Sequence, residues 1–216
     1  MKYIFANWKS NKNIVGAKEW LDSVGSINSD KEVVLTPPFT ILGAIYTQAL
    51  SSNFKLGVQD ISPFSAGSYT GAISPVNLEE MSVSYAIVGH SERRHYFGES
   101  DQMVANKVDI ALEAKITPVV CVDEGYIESQ ANAIDSDLRK KCIVAYEPIS
   151  AIGTGDEMGE KKVGEVVERI KKAFGEVRVI YGGSVDGDNI EEYLEICDGV
   201  LIGGASLKVE DFKQLL

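Results

Sequence analysis

The sequence predicts an α/β fold: a single (β/α)8 barrel domain over residues 1–216, with a shortened connection between its fifth and sixth strands. Eight short apolar runs recur along the chain, each nearly continuously hydrophobic, as is typical of strands buried on both faces. Segments with the period of an α-helix separate most of these runs, as in parallel βα units. No linker interrupts the series, so one closed barrel is favoured over two domains.

The predicted strands are rich in β-branched and other apolar residues, which favour a buried, pleated backbone. They are Tyr3–Ala6, Glu32–Leu35, Lys55–Val58, Tyr85–Val88, Thr117–Val122, Cys142–Ala145, Arg178–Tyr181 and Gly199–Ile202. Their spread over the whole chain indicates that all eight belong to one sheet.

Two segments between strands carry a clear apolar stripe at helical spacing, Asp101–Lys115 and Lys161–Phe174. Ile190–Ile196 and Val209–Leu216 are shorter versions of the same pattern. The predicted buried stripe of the first segment consists of Met103, Val104, Val108, Ala111 and Leu112.

The strand–helix alternation is interrupted in two places. Ser62–Ala72 is rich in Gly and Ser and too long for a simple connector, which predicts a protruding loop. The stretch between Glu124 and Cys142 is short and polar, with only a weak helix candidate over Ile127–Leu138. We therefore expect the fifth helix of the barrel to be reduced or absent.

The net charge of -11 and the pI near 4.7 argue against nucleic-acid binding, which normally requires a basic face. The same charge opposes anionic substrates at long range. A phosphate site in this chain would therefore have to be built locally, from backbone N–H groups, helix N-termini and a few cations.

The three cysteines, Cys121, Cys142 and Cys197, are an odd number and lack CxxC or zinc-ligand spacing. They are predicted to be small core residues without a redox or metal role.

No apolar run approaches the roughly 20 residues of a membrane span. The N-terminal segment reaches Asn7 and Lys9 too soon for a secretory signal, so a cytoplasmic location is expected.

Polar residues with chemical potential follow the predicted strands, where ligands bind in parallel βα folds. Asn7 and Lys9 end the first strand, and residues two apart share one strand face. An amide and an ammonium at the barrel mouth could hold a polarised oxygen and an anion. A surface lysine at a strand end is the alternative.

His90 directly follows the fourth predicted strand and opens a helical turn at Ser91–Arg94. The positive end of a helix lowers the pKa of an adjacent imidazole, so we expect a neutral His90 that donates a hydrogen bond. Its position alone leaves a structural role open. His95 is expected to be an exposed helix residue.

Glu147 stands at the tip of the sixth predicted strand, before Pro148 and an apolar stretch that ends in Gly153–Gly155. A carboxylate next to a segment stiffened by proline and hinged by glycine is typical of a base beside a mobile lid. The alternative is an ordinary loop with an exposed glutamate. The apolar side chains of Ile149 and Ile152 argue against it, because a loop that never closes would leave them exposed to water without benefit.

Paired glycines follow the seventh and eighth predicted strands, in Tyr181–Ser184 and Gly203–Ser206. Glycine lets backbone N–H groups approach an anion closely, and barrels commonly bind phosphate after these two strands. The two pairs together predict a phosphate site.

Taken together, these segments resemble the triosephosphate isomerase family, in order and over nearly the whole chain. The motifs that carry the resemblance are Asn7–Lys9, Gln59–Asp60, Ser68–Gly71, Gly89–Arg94, Tyr146–Pro148, Ala151–Gly155, Tyr181–Ser184 and Gly203–Ser206. The resemblance implies a TIM barrel that interconverts dihydroxyacetone phosphate and D-glyceraldehyde 3-phosphate, in glycolysis and gluconeogenesis.

The resemblance also implies roles for individual residues. Glu147 would be the base and neutral His90 the electrophile, while Lys9, helped by Asn7, would stabilise developing negative charge. The backbone N–H groups that would hold the substrate phosphate are those of Gly153, Ser184, Gly203 and Gly204. No metal or organic cofactor is implied.

A homodimer is implied as well. The Phe64–Ala72 loop would dock beside the active site of the neighbouring subunit, with Thr70 near the tip of the loop.

The sequence departs from the family pattern at several positions. Ser150 stands where a lid tryptophan is usual, Ala72 replaces an acidic residue of the docking loop, and Asp123 replaces a glycine. Asp123 is expected to tolerate the positive φ that a glycine would adopt there.

Two other functions remain as alternatives. Another phosphate-handling barrel would share the glycine pairs, but has no reason to combine Asn7, Lys9, His90 and Glu147. A catalytically weak relative retained as a binding protein is the second alternative, suggested by the altered lid and docking loop. The intact set of four residues argues against it.

Overall fold

The computed structural model describes residues 1–148 and 159–216, and eight parallel strands form a closed barrel in it. Each strand pairs with the next along the chain, and the eighth pairs with the first. The strands are β1 (Tyr3–Asn7), β2 (Glu32–Thr36), β3 (Lys55–Val58), β4 (Val83–Val88), β5 (Thr117–Val122), β6 (Ile143–Tyr146), β7 (Arg178–Tyr181) and β8 (Gly199–Ile202). The predicted fold class is confirmed.

The ends of four strands differ from the prediction, since β1 and β2 each extend one residue further, to Asn7 and Thr36. Strand β4 begins at Val83, two residues before the predicted start, and β6 runs one residue later than predicted. The β5–β6 ladder pairs Val119 with Ile143 and Val122 with Tyr146. The register of this ladder sets the ends of β6, and the hydrophobicity of the segment alone does not reveal that register.

The described residues also form nine α-helices on the outside of the barrel. They are α1 (Ile14–Val24), α2 (Phe39–Ser51), α3 (Ser91–Phe97), α4 (Asp101–Glu113), α5 (Ile127–Ala133), α6 (Ser136–Arg139), α7 (Glu160–Phe174), α8 (Ile190–Ile196) and α9 (Val209–Lys213). Short 3₁₀ turns cover Pro75–Asn77, Glu79–Met81 and Gly204–Ser206. Over the described ranges, no helix combines the length and apolar character that crossing a membrane requires.

One position of the predicted stripe on α4 is wrong. Val104, Val108 and Ala111 are buried against the strands, but Met103 is 38% exposed. Each helical residue turns by about 100°, so Met103 lies roughly a quarter turn or more from the centre of the stripe. Apolar character alone does not distinguish the margin of such a stripe from its centre.

The core has two layers. One fills the barrel with side chains such as Phe5, Ile87 and Cys121, and the other lies between strands and helices. Cys142 and Cys197 are buried in the outer layer, and all three thiols are free, so the predicted core positions are confirmed.

The chain between Gln59 and Ser74 contains no helix or strand, and Phe64–Ala72 is exposed along its length. The predicted protruding loop is therefore present. The rings of Phe64 and Tyr69 stack within it, with centroids 4.3 Å apart.

The connection from β5 to β6 contains two short helices, α5 and α6, so the fifth helix is reduced rather than absent. At its start, Asp123 is not among the residues with positive φ, contrary to expectation. The Asp123 side chain instead accepts a hydrogen bond from the Gly125 N–H at 2.6 Å. This local turn needs no left-handed residue at position 123.

Candidate active site

A cavity of about 390 Å³ opens at the carboxyl ends of the strands, a size suited to a small ligand. The predicted site residues that line it are Asn7, Lys9, His90, Glu147, Ser184, Gly203 and Gly204. Parallel strands deliver their carboxyl ends to one rim, which explains why residues so distant in sequence meet here. Gly153 and Ser150, with the remainder of the predicted lid, lie outside the described residues.

The turn after β1 holds Lys9 in a left-handed conformation, with φ of 50°. Its backbone N–H donates to Asn7 Oδ1 at 3.1 Å, and its Nζ lies 2.6 Å from Glu92 Oε1. Gln59 Nε2 donates to the Lys9 carbonyl at 2.9 Å. Trp8 points the other way into the outer core layer, as the strand alternation predicts.

His90 is 5% exposed and caps the N-terminus of α3. Its Nδ1 accepts a hydrogen bond from the Glu92 N–H at 3.2 Å, while its Nε2 lies 3.0 Å from Glu147 Oε1. The preceding Gly89 has φ of +69°, a conformation that glycine adopts without steric cost. This turn aims the imidazole into the cavity. His95 is exposed on α3, as expected.

Glu147 is only 1% exposed, although it is a carboxylate. Its Oε2 accepts a hydrogen bond from the Ser91 N–H at 2.9 Å, in addition to the contact with His90. Burial raises the pKa of Glu147, but the His90 imidazole and the Ser91 hydrogen bonds lower it by more, so its net pKa lies below the ordinary value. The carboxylate is therefore ionised in this conformation.

The pKa of His90 differs in direction from the prediction. Burial lowers it, but the carboxylates of Glu147 and Glu92 together raise it by more, so the net pKa lies above the ordinary value. The predicted lowering considered the helix end alone and not a carboxylate 3.0 Å away. The hydrogen bond at Nδ1 instead favours the neutral ring, because a nitrogen that accepts the Glu92 N–H carries no proton. A neutral ring with its proton on Nε2 would satisfy both hydrogen bonds at once.

Glu147→Gln is expected to lower the pKa of His90, because it removes the negative charge that stabilises the imidazolium. The chain has only two histidines, so proton NMR can follow each imidazole through a pH titration. His95 is exposed on α3 and serves as the internal control. A pKa of His90 that stays constant or rises in the variant would contradict the proposed coupling.

The turns after β7 and β8, where the sequence predicts phosphate binding, form another side of the cavity. An added Cβ on Gly203 would lie 3.3 Å from Lys9 Cε, so the β8 turn packs directly against the Lys9 side chain. Ser206 Oγ donates to the Gly203 carbonyl at 2.7 Å and closes this turn. Ser184, Gly203 and Gly204 thus lie within one cavity with Lys9.

Several residues shape the site although the sequence analysis gave them no role in it. Asp186, in the loop after β7, and Asp211, on α9, also line the cavity, although acidic residues near the surface are usually solvated. The buried Arg94 donates to the carbonyls of Gly89 and Cys121 and thereby joins the ends of β4 and β5. Gln59 directly follows β3, and its place at a strand end was the available signal for its role.

A family model described as Triosephosphate isomerase matches residues 2–216. The chain belongs to the triosephosphate isomerase family. The triosephosphate isomerase of Clostridium botulinum (strain Loch Maree / Type A3) is 38% identical over 241 residues, covering 99% of this chain and 97% of the relative. That of Mesomycoplasma hyopneumoniae (strain 7448) is 38% identical over 238 residues, covering 100% and 98%. That of Endomicrobium trichonymphae is 36% identical over 238 residues, covering 97% and 95%.

Family membership confirms the predicted enzyme class, an isomerase that acts on triose phosphates. The alignments with these relatives are longer than the 216 residues of the chain, so each relative contains residues that this triosephosphate isomerase family member lacks. The reduced connection between β5 and β6 agrees with a shortened chain.

Proposed function

We propose that this chain interconverts dihydroxyacetone phosphate and D-glyceraldehyde 3-phosphate through an enediolate, with Glu147 as the base and His90 as the electrophile. The observation that carries the proposal is the 3.0 Å separation of Glu147 Oε1 and His90 Nε2 within the cavity that Lys9 also lines. One small substrate can touch all three groups at once. The metabolic setting that follows is glycolysis and gluconeogenesis.

The base acts on carbon. Glu147 removes a proton from the carbon next to the carbonyl, the electrons form the enediolate, and the same carboxyl group returns the proton to the neighbouring carbon. This division of roles between a carboxylate and an imidazole is the established one for the family. Glu147 would first leave its contacts with Ser91 and His90 and turn towards the substrate.

The other polar groups handle the charge that develops on oxygen. A neutral His90 donates from Nε2 to the substrate carbonyl and passes protons between the two enediolate oxygens. The Lys9 ammonium, supported by Asn7, lowers the energy of the enediolate because it is already in position when the charge appears. When Glu147 turns away, His90 loses the charge that raises its pKa, and the Glu92 N–H favours the neutral ring.

The substrate phosphate would bind at the backbone N–H groups of Gly153, Ser184, Gly203 and Gly204. These donors have to overcome a net charge of -11 and the nearby carboxylates of Asp186 and Asp211. Oriented backbone N–H groups and Lys9 provide such local attraction. We also propose that the reaction uses no metal or organic cofactor.

A coupled isomerase assay on the purified protein tests the proposal. Turnover of D-glyceraldehyde 3-phosphate that inorganic phosphate inhibits competitively is the expected result. Binding of phosphate without turnover would favour the alternative of a non-catalytic relative. Turnover of another phosphorylated substrate alone would favour a different phosphate-handling barrel.

We further propose a cytoplasmic homodimer that binds neither nucleic acid nor membranes. Its interface would be the Phe64–Ala72 loop, with Thr70 near the tip beside the neighbouring active site. Large apolar side chains cluster in and near this loop, since Phe64 and Tyr69 are each 45% exposed and Phe97 on α3 is 69% exposed. Such exposure in a folded protein is typical of an interaction surface.

Phe64→Glu is expected to convert the dimer into a monomer, because it places an unpaired charge within an apolar interface. Sedimentation equilibrium of wild type and variant measures the change in mass. Thr47→Glu adds the same charge on the exposed side of α2 and is the matched control. A wild-type protein that is monomeric at micromolar concentration, or a variant that remains dimeric, would contradict the assigned interface.

A further inference from the structure

Lys12 is a lysine with an unusual backbone and an inward-pointing side chain, and the reaction above does not use it. Its φ of 65° lies in the left-handed region, which costs a non-glycine residue energy. The Lys12 Nζ donates to the Leu207 carbonyl at 2.7 Å, across 195 positions of sequence. The same ammonium lies 5.1 Å from the centre of the Trp8 ring and 5.7 Å from that of Trp20.

The Leu207 carbonyl belongs to the segment that carries the predicted phosphate-binding glycines. Leu207 follows the 3₁₀ turn Gly204–Ser206 and precedes α9, and its N–H bonds back to the Gly204 carbonyl. The Lys12 ammonium therefore holds the far end of the β8 turn. The near end of that turn packs against Lys9, where an added Cβ on Gly203 would lie 3.3 Å from Lys9 Cε.

The two rings stabilise the cationic end of this contact. Trp8 is fully buried and packs edge to face against Trp20, with ring centroids 5.0 Å apart, so the rings form a rigid platform. A cation over the face of an indole ring is attracted to it, and more strongly where water is partly excluded. The ammonium thereby connects Trp8, which follows β1, to the Leu207 carbonyl after the β8 turn.

We propose that Lys12 is a positioning residue that fixes the phosphate-binding turn after β8 relative to Lys9. The proposal rests on the proposed function, since it concerns the binding of the substrate phosphate. Lys12 acts through the backbone of residues 203–207 and not on the reacting carbons. Its loss should therefore weaken phosphate binding and leave the proton-transfer chemistry nearly unchanged.

Lys12→Met tests the proposal, because methionine retains an apolar stem and removes the ammonium. We expect the Kd for inorganic phosphate and the KM for D-glyceraldehyde 3-phosphate to rise together by about fivefold to tenfold, as for the loss of a charge-assisted hydrogen bond. Turnover of D-glyceraldehyde, which lacks the phosphate, should change by less than about twofold. Lys12→Arg retains a cationic donor and should keep most of the phosphate affinity.

Lys115→Met is the matched control. Lys115 is also a lysine with positive φ, 61°, but it is exposed at the opposite end of the barrel, just before β5. Its replacement removes one positive charge of the same kind far from the cavity. A control variant with wild-type phosphate affinity would show that net charge alone does not explain the effect of Lys12→Met.

Amide hydrogen exchange gives a readout that needs no turnover. Lys12→Met should accelerate exchange at residues 204–207, and Lys115→Met should not. If the wild-type protein binds phosphate but lacks isomerase activity, the proposed function fails, and the phosphate titration and exchange data still decide the role of Lys12. Phosphate affinity of Lys12→Met within twofold of wild type, an equal loss of D-glyceraldehyde turnover, or no phosphate binding by the wild type would overturn the positioning role.

Discussion

Glu147→Gln is expected to lower kcat by roughly a thousandfold, which is within the usual range for the loss of a general base. Glutamine has nearly the same shape as glutamate and can still accept the hydrogen bond from the Ser91 N–H. It cannot take a proton from carbon at neutral pH. The substitution therefore removes an interaction of the chemical step and retains the packing of the site.

Steady-state kinetics and thermal unfolding of the same preparations separate these effects. The melting temperature of Glu147→Gln should stay close to that of wild type. Glu19→Gln, at an exposed position on α1, is the matched control and should keep wild-type kcat. A Glu147→Gln variant with near-normal kcat would remove Glu147 from the role of base.

Lys107→Met is expected to lower the free energy of unfolding by about 3–5 kcal/mol at neutral pH, the usual cost of breaking a buried ion pair from one side. The Lys107 side chain is 2% exposed and contacts the carboxylates of Asp60 and Glu99. Glu99 is itself buried, so the variant leaves negative charge in the interior, where Arg93 is the remaining cation in contact with it among the described residues.

The loss should depend on pH with a definite sign. Burial raises the pKa of Glu99, but Lys107 and Arg93 lower it by more, so its net pKa lies below the ordinary value. In wild type the stability that Glu99 contributes is present above the pKa of the unfolded chain and is lost as the pH falls through the lower folded value. The pKa of Asp60 differs in direction: burial raises it above the ordinary value even with Lys107 and Arg93 in place.

Without Lys107, less positive charge offsets the burial of the two carboxyl groups, so their ionised forms cost more free energy in the variant than in wild type. The difference in stability between wild type and Lys107→Met should therefore shrink as the pH falls from 7 towards about 4.5, near the ordinary carboxyl pKa. Urea unfolding at several pH values measures it, and Lys18→Met on the exposed side of α1 is the control. A loss below about 1 kcal/mol, or one that grows in acid, would contradict the assigned role of the ion pairs.

Much of the fold could be predicted because its signals are local. Strands such as Thr117–Val122 are continuous apolar runs, and the heptad-like stripe of α7 follows from the helical period. Parallel topology then places the residues after the strands at one rim. Asn7, Lys9, His90 and Glu147 could therefore be grouped before their distances were known.

The sequence by itself determined which segments form the eight strands, most of the side chains that avoid water and the main polar groups that reach the cavity. The tertiary structure alone decided how those groups act on one another: the contact of His90 with Glu147, the enclosure of Lys107 by two carboxylates and the hydrogen bond from Lys12 to Leu207. The reason is physical. Hydrophobic period and strand propensity depend on neighbours along the chain, whereas a pKa or an ion pair depends on charges brought close in space, and the sequence separation of two residues does not reveal that distance.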